Sequence, residues 1–378
     1  MAHRNAPGCI LVARDTDTNA QRRIGDLAAS TAMLRAGHHA TREDVCRLMG
    51  AVLAGEVEPA PFGAWLLALA DLGESAAEIA GVAMALRERM VPVPRRGLAA
   101  TAAVADTCGT GGDGSGSFNI STAAGIVVAA AGQPVAKHGN RAVSSRTGSA
   151  DVLEQLGVRI DADADTSSRC LAELGLCFCL APTHHPAMAR VGPLRRSLAR
   201  PTVFNLVGPL CNPAGASVQM IGVGRPSARE PLAEAARLLG AERVLVVSGH
   251  VGTDDSKSFD EVSLFGPTDV IDITATGTSR SRWTSEDFGL ETLPVSAIAQ
   301  LIVAGPEESA AAIRDVLAGS QGPRRDVVVL NAAAVLWAAG RVADKPAARA
   351  LAEQAIDSAA AARLLDRLAD LSHQPPPA

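Results

Sequence analysis

The chain has 378 residues, 47% of them hydrophobic, with a mean hydropathy of +0.16, a formal net charge of −5 and a pI near 5.9. That length and composition suffice to bury a large core, in two domains or one large α/β body. The acidic balance excludes a general electrostatic field for nucleic acid or an anionic membrane, so neither is expected as a partner and any anion site must be local.

Seven cysteines, Cys9, Cys46, Cys108, Cys170, Cys177, Cys179 and Cys211, include no CxxC pair and no zinc spacing. They read as reduced thiols of a cytoplasmic chain. Apolar runs such as Ala123 to Ala131 fall short of the roughly 18 residues of a membrane span, and the N-terminus lacks an apolar signal region.

Residues 1–25 lack periodicity and are expected to form a loosely ordered tail. From Asp26 to Met90 the apolar spacing is helical, with capping-box patterns at Thr41 to Asp44 and Ser75 to Glu78, and Pro59 and Pro61 between segments. This predicts about four helices and no strand, a small N-terminal helical domain over 26–95. Pro92, Pro94 and Arg95-Arg96 then mark a boundary within 91–100. Beyond it, strand-like runs occur before Asp106 and at Val135-Ala136, Val158 to Ile160, Cys177 to Leu180, Met220 to Val223, Val244 to Val247 and Val327 to Leu330. Helical segments lie between them, which predicts an α/β domain over 100–372 with an at least partly parallel sheet. Ala187 to Leu198 reads as a helix inserted into that alternation, within an insertion at 184–200 that joins the helical domain. Asn331 to Ala339 and Ala347 to Leu371 read as closing helices, and 373–378 as a disordered end.

Asp106 to Thr122, DTCGTGGDGSGSFNIST, stands out, with glycines at Gly109, Gly111, Gly112, Gly114 and Gly116 ahead of a polar turn and an alanine-rich helix. Glycines let backbone N–H groups converge, and a helix N-terminus adds oriented donors, so the stretch suits phosphate oxygens. It formally satisfies GxGxxG, yet no Asp or Glu occurs between Asp113 and Asp151, where a dinucleotide site needs an acid for the ribose hydroxyl. A Walker A loop fails as well, because Gly116 is followed by Ser117 and Phe118. The acid-free stretch holds Lys137, Arg141 and Arg146, with Lys137-His-Gly-Asn-Arg141 after the strand at Val135. In a parallel sheet that basic turn lies at a strand's C-terminal end, beside the glycine loop.

With GTGGD (Gly109 to Asp113), FNIST (Phe118 to Thr122), KHGNR (Lys137 to Arg141), GSADVLEQLG (Gly148 to Gly157), HHPAM (His184 to Met188), TVFNLVGPLCNPA (Thr202 to Ala214) and the pair Asp260-Glu261, the sequence resembles the anthranilate phosphoribosyltransferase family of tryptophan biosynthesis. The resemblance spans about Asp26 to Leu371. It implies a nucleoside phosphorylase/phosphoribosyltransferase-like fold with a mixed, mostly parallel central sheet. It further implies transfer of the phosphoribosyl group of 5-phosphoribosyl 1-pyrophosphate (PRPP) to anthranilate, a homodimer, and a pair of Mg²⁺ ions in each subunit.

By the same resemblance, Gly109, Gly112 and Asp113 contact the donor, and Ser117, Asn119, Ile120, Ser121 and Thr122 hold its phosphates and ribose. Lys137, His138, Gly139, Asn140, Arg141, Ala142, Val143, Ser144 and Ser145 wrap the pyrophosphate, with Ser149 closing the loop. Gly109, Asn140, His185, Met188 and Arg195 match acceptor positions, and Ser121, Asp260 and Glu261 are the implied metal ligands. Chemistry agrees at two points: Mg²⁺ favours carboxylate and phosphate oxygens, and an arginine fork grips a benzoate carboxylate in two parallel hydrogen bonds. No catalytic acid or base is identified. One departure is the stretch from Gly249 to Asp260, HVGTDDSKSF, longer than the short loop the resemblance implies, with Asp254 and Asp255 as rival metal ligands. Two competing readings share features with this one: a pyrimidine nucleoside phosphorylase, and a nucleic-acid-binding paralogue without activity.

Overall fold

The computed structural model describes residues 27–99, 101–142, 146–252 and 254–374. The expected tail over 1–25, residues 375–378 of the expected disordered end, and Val143, Ser144 and Ser145 of the basic turn lie outside the described residues.

Four helices open the described chain: α1 over 27–35, α2 Arg42–Ala54, α3 Pro59–Leu72 and α4 Ala76–Arg87. Both cap signals in the sequence operate. The Thr41 side chain accepts from Asp44 N, and Ser75 accepts from Glu78 N while the Glu78 carboxylate takes Ser75 N at 2.8 Å. Glu78 is buried and also accepts Ala40 N at 2.9 Å, so one carboxylate ties the approach to α2 to the start of α4. Trp65 on α3 is buried and donates its indole N–H to Ser30 Oγ of α1 at 3.0 Å.

The α/β part begins with β1 Ala105–Gly109, α5 Ile120–Ala130, β2 Val135–Gly139, α6 Ser149–Gln155, α7 Ala164–Leu174 and β3 Leu176–Leu180. The short helices α8 Ala181–His184, α9 Gly192–Leu198 and α10 Phe204–Val207 form an excursion before β4 Val218–Gly222, α11 Arg229–Leu238 and β5 Arg243–Val251. Then come β6 Asp254–Phe259, β7 Thr268–Thr274, β8 Gly277–Trp283, α12 Pro306–Leu317, α13 Pro323–Ala338, α14 Lys345–Asp357 and α15 Ala360–Ser372. The strands form one sheet in the order β3-β2-β1-β4-β5-β7-β8, with β6 also pairing β5. Neighbours from β3 to β5 are parallel, and β5–β6, β5–β7 and β7–β8 are antiparallel, so the sheet is mixed and mostly parallel across its centre.

Each face of the sheet is covered. Phe118, Ile126 and Val127 of the α5 region, Val328 and Val335 of α13, Leu365 of α15 and Leu245 of β5 belong to one core. Ile221, Val244 and Ile271 join α11 and the N-terminal helices in a second. Each fully buried Val, Ile or Leu contributes about 1.5–3 kcal/mol. The inserted α9 packs on α3, and the Arg190 guanidinium donates to Ala54 O at 2.6 Å.

The structure corrects several sequence expectations. Residues 327–330 are not a strand but the centre of α13, an apolar helix buried on all sides, for which periodicity gives no signal. Residues 158–160 follow the left-handed Gly157 (φ 89°) without strand pairing. The inserted segment breaks into a 3-10 turn Pro186–Arg190 and α9, and the closing helix divides at Ala359 (φ 57°) into α14 and α15. β7 and β8 are not anticipated from the sequence: β8 is a polar edge strand, TSRSR, exposed on both faces as far as Arg282. The long stretch after Gly249 is a hairpin, with β6 folding back on β5 through His250↔Ser258. Among the described residues no helix is long and apolar enough to cross a membrane, and no cysteine forms a disulfide.

Candidate active site

The central parallel strands β1, β2 and β4 finish on Gly109, Gly139 and Gly222, and Gly109 pairs directly with Gly222. Their C-terminal edge is where a doubly wound sheet binds ligands. From Gly109 the chain turns through Gly111, Gly112, Gly114 and Gly116 at φ 71°, 80°, 70° and 66°, a left-handed path that only glycine follows without strain. The end of this loop is pinned from a distance: Phe118 N donates to Leu301 O at 2.8 Å, and Val303 N to Gly116 O at 3.1 Å. Asn119 then caps α5 by position, though its side chain makes no hydrogen bond to the helix.

Asp260 and Glu261, which follow β6, reach this loop from 149 and 140 residues away. The Asp260 carboxylate accepts Gly111 N at 3.1 Å, and the Glu261 carboxylate accepts Ser121 N at 3.0 Å, at the positive end of the α5 dipole. The Asp113 carboxyl lies close enough to Asp260 for its charge to act on it. Burial, followed by the charge of Asp113, pushes the Asp260 carboxyl well above the usual range. Glu261 is pushed up likewise by burial and then by Asp260, although Lys137 opposes the shift. Three carboxyls so placed repel one another until protons or a cation neutralise them, and Asp113 Oδ2 is buried without a hydrogen-bond partner among the described residues. No three His, Cys, Asp or Glu side chains among the described residues form a complete metal cage. The donor set therefore fits a hard cation that completes its shell with water or substrate phosphate oxygens.

Glycines make room for the acidic turn. A Cβ at Gly222 would lie 1.6 Å from Asp260 O, one at Gly249 would lie 2.5 Å from Glu261 O, and one at Gly224 2.9 Å from Asp113 Cβ. Asn331, fully buried on α13, fixes the turn from behind: its Oδ1 accepts Val262 N at 2.9 Å and its Nδ2 donates to Val262 O at 3.0 Å.

On β2, Lys137 is buried and donates to Thr107 O at 2.6 Å and Ser121 Oγ at 3.3 Å, beneath the start of α5. Backbone register between β1 and β2 is recorded only at Ala105↔Val135. Farther along, side chains span the gap. The buried Asp106 accepts His138 N at 3.2 Å and Asn212 Nδ2 at 2.8 Å, and Asn212 Nδ2 also reaches Ala136 O at 2.7 Å.

After β2 the basic turn folds onto the start of α6. Gly139 and Gly148 permit this, since a Cβ at Gly139 would lie 2.1 Å from Ser149 Oγ, and one at Gly148 would lie 2.2 Å from Ala142 N. One Asp151 oxygen accepts Ala142 N at 2.8 Å and Gly148 N at 3.1 Å. Asn140 is exposed, its carbonyl accepting Ala150 N at 3.2 Å. Arg141 is exposed and held by Asp151 at 3.0 Å and Glu154 at 2.8 Å.

The acceptor residues of the resemblance lie on the excursion before β4. The His138 and His185 rings lie in contact, tilted at 48° with centroids 5.2 Å apart. Their rings bond Gly208 O at 3.1 Å and Cys211 O at 3.0 Å. Burial drives both pKa values down, to about 3 for His138 and about 4 for His185, so both rings are neutral near pH 7. Arg195 stacks its guanidinium 5.1 Å from the Phe204 ring centroid and, among the described residues, makes no ion pair; burial lowers its pKa. Met188 packs against the same core as Phe204. No hydrogen bond ties Met188 or Arg195 to Gly109 or Asn140 among the described residues.

The structure thus gathers Gly109, Gly112, Asp113, Ser117, Asn119, Ile120, Ser121, Thr122, Lys137, Asp260 and Glu261 around one loop and one helix start. His138 sits between this group and His185. Sequence reasoning missed Asp106, Asn331, Gly222, Gly224 and Ser309, and gave no role to Asn212. A lone asparagine in the apolar run VVVLNAAAV was the available signal for Asn331, because a buried amide requires fixed partners.

Comparison with known proteins identifies the family and the fold. The glycosyl transferase family a/b domain matches residues 101–362, and the helical bundle domain of the same family matches 30–90. An anthranilate phosphoribosyltransferase of Methylobacterium nodulans is 46% identical over 342 residues, 90% of this chain and 97% of that protein. One from Rhodopseudomonas palustris is 45% identical over 333 residues, 88% of this chain and 94% of that protein. Among solved structures, the Thermus thermophilus anthranilate phosphoribosyltransferase superposes with a TM-score of 0.81 at 41% identity, covering 91% of this chain and 99% of that one. The Saccharomyces cerevisiae enzyme in complex with PRPP and Mg gives 0.79 at 26% identity, covering 94% and 98%. By fold, domain matches and identity along nearly its whole length, the chain belongs to the glycosyl transferase family of helical-bundle and a/b domains and, within it, to the anthranilate phosphoribosyltransferases.

Proposed function

We infer that the chain transfers the phosphoribosyl group of PRPP to the amine of anthranilate, giving N-(5-phosphoribosyl)anthranilate and pyrophosphate. The observation that carries this reading is the convergence of the glycine loop, the start of α5, Lys137 and the Asp260-Glu261 turn at one strand-end edge. The arylamine nitrogen attacks C1′ of the ribose, the bond from C1′ to the pyrophosphate oxygen breaks, and the amine's proton leaves to solvent. Negative charge grows on pyrophosphate as the sugar becomes cationic, so donors fixed beforehand lower the barrier more than they tighten ground-state binding.

In this reading the N–H groups of the glycine loop and Lys137, aided by the α5 dipole, hold the pyrophosphate and phosphate oxygens. Asp113, Ser117, Asn119 and Thr122 orient the ribose, and the turn from His138 to Ser149 closes around the pyrophosphate. Arg195 grips the acceptor's carboxylate, with Asn140, His185 and Met188 lining its path. Asp260, Glu261 and Ser121 would hold Mg²⁺, which when bound supplies positive charge to the pyrophosphate. A second ion in each subunit, a homodimer and a cytoplasmic location belong to the same reading. So does a division into a helical unit over 26–95, joined by the insertion at 184–200, and an α/β unit over 100–372. Neutral His138 and His185 fit a site that works by positioning, and no side chain is assigned as general base.

Incubating the protein with PRPP, Mg²⁺ and anthranilate should release one pyrophosphate for each anthranilate consumed, with thymidine and phosphate unreactive. Phosphorolysis of thymidine without anthranilate turnover would overturn the assignment.

A further inference from the structure

Asn119 occupies the N-cap position of α5 without capping it. An asparagine there ordinarily turns its side-chain oxygen onto an N–H of the first helical turn. Here two hydroxyls hold that oxygen elsewhere. Thr147 Oγ1 donates to Asn119 Oδ1 at 2.6 Å and Ser309 Oγ donates to it at 2.9 Å, while Ser309 Oγ accepts Asn119 N at 3.0 Å. Both lone pairs of Oδ1 are therefore used, and the amide orientation is set by its partners. Asn119 Nδ2 has no hydrogen-bond partner among the described residues.

Ser309 is fully buried on α12, far in sequence from the glycine loop, in a segment that also braces it. Leu301 and Val303 pair with Phe118 and Gly116, and Val303 O accepts the Arg146 guanidinium at 3.1 Å. One stretch, 301–309, thus touches the end of the glycine loop, the start of α5 and the segment after the basic turn.

We propose that Ser309 is a positioning residue for the phosphoribosyl donor: its hydroxyl holds Asn119 Oδ1 and so aims Asn119 Nδ2 at donor oxygens. This rests on the reading of the loop as the PRPP site. Ser309→Ala removes one oxygen and leaves almost no void, so the variant folds, with a modest loss of stability from the acceptor that Asn119 N gives up. The freed asparagine side chain can then turn, which withdraws Nδ2 from the donor.

The test measures KM for PRPP and for anthranilate, together with thermal unfolding, in wild type, Ser309→Ala and Ser309→Thr. In Ser309→Ala, KM for PRPP should rise about tenfold, the worth of one hydrogen bond to a charged group, while KM for anthranilate stays near wild type and Tm falls only modestly. Ser309→Thr keeps the hydroxyl and should restore most of the PRPP affinity. An unchanged PRPP KM, or equal rises in both KM values with a fallen Tm, overturns the proposal in favour of a purely structural hydroxyl. If Ser309→Ala is insoluble, Thr147→Val removes the other hydroxyl donor, and calorimetric titration with PRPP and Mg²⁺ in the absence of anthranilate reads binding without turnover. Weakened PRPP binding in that variant supports the proposal, and unchanged binding overturns it. Wild type without PRPP turnover would instead defeat the functional reading itself.

Discussion

Replacing Gly222 with alanine asks whether the acidic turn must sit where it does. Gly222 ends β4 and has no positive φ, so alanine brings no backbone strain; the conflict is one of space. Its Cβ would lie 1.6 Å from Asp260 O and 2.4 Å from Asp260 C, both main-chain atoms that cannot rotate away. Because a Cβ does not approach within 3.0 Å, strand and turn must part by at least about 1.4 Å. Overpacking of this kind costs about 1–3 kcal/mol, which a chain of this size tolerates. A displacement beyond about 1 Å at a catalytic constellation costs about 100-fold in rate. Gly222→Ala should thus remain folded by circular dichroism with a modest fall in Tm. Its kcat/KM for PRPP should drop about 100-fold or more, and the Mg²⁺ concentration for half-maximal rate should rise. Retention of kcat/KM within about threefold, in a variant whose melting confirms the mutation is felt, would refute the reasoning.

Three further outcomes are expected. Asp106→Ala strips His138 N–H and Asn212 Nδ2 of their buried acceptor and should cost about 3–5 kcal/mol in urea unfolding, because the charge of Lys137 is left without this counter-ion. Arg195→Ala should raise KM for anthranilate about 10- to 100-fold with KM for PRPP unchanged, and Arg195→Lys should recover only part of the loss, since an ammonium lacks the planar fork. The pKa values of His138 and His185 are depressed to about 3 and about 4, below the ordinary 6.5, so their neutral burial stabilises the fold fully above pH 6.5. That stability is lost as pH falls from 6.5 toward those values, at up to about 1.4 kcal/mol per unit for each ring, so the stability gap between wild type and His185→Gln should narrow as pH is lowered.

The sequence carried the parts of this fold that rest on local chemistry. Thr41 and Ser75 announce helix starts because a hydroxyl and an acid three residues on can cap each other, and both caps form. The glycine loop was legible because successive left-handed turns strain any residue but glycine. Residues 327–330 misled because a helix buried all round and a buried strand have the same apolar composition. β8 was silent because an edge strand solvated on both faces carries no apolar alternation. At the site, residues that would touch ligands were legible through their motifs. Those that hold them from behind were not: Asn331 acts on Val262 from 69 residues away, Ser309 on Asn119 from 190, and Gly222 matters only because Asp260 passes over it. No spacing in the sequence encodes such pairings.

The most direct measurement follows anthranilate fluorescence in a mixture of folded protein, PRPP and Mg²⁺. The fluorescence should decay to completion only when all three are present, and should persist when Asp260 and Glu261 are both replaced by alanine at limiting Mg²⁺. A folded wild-type protein that leaves the fluorescence unchanged would contradict the assigned reaction, and undiminished decay in the double variant would contradict the role given to the acidic turn.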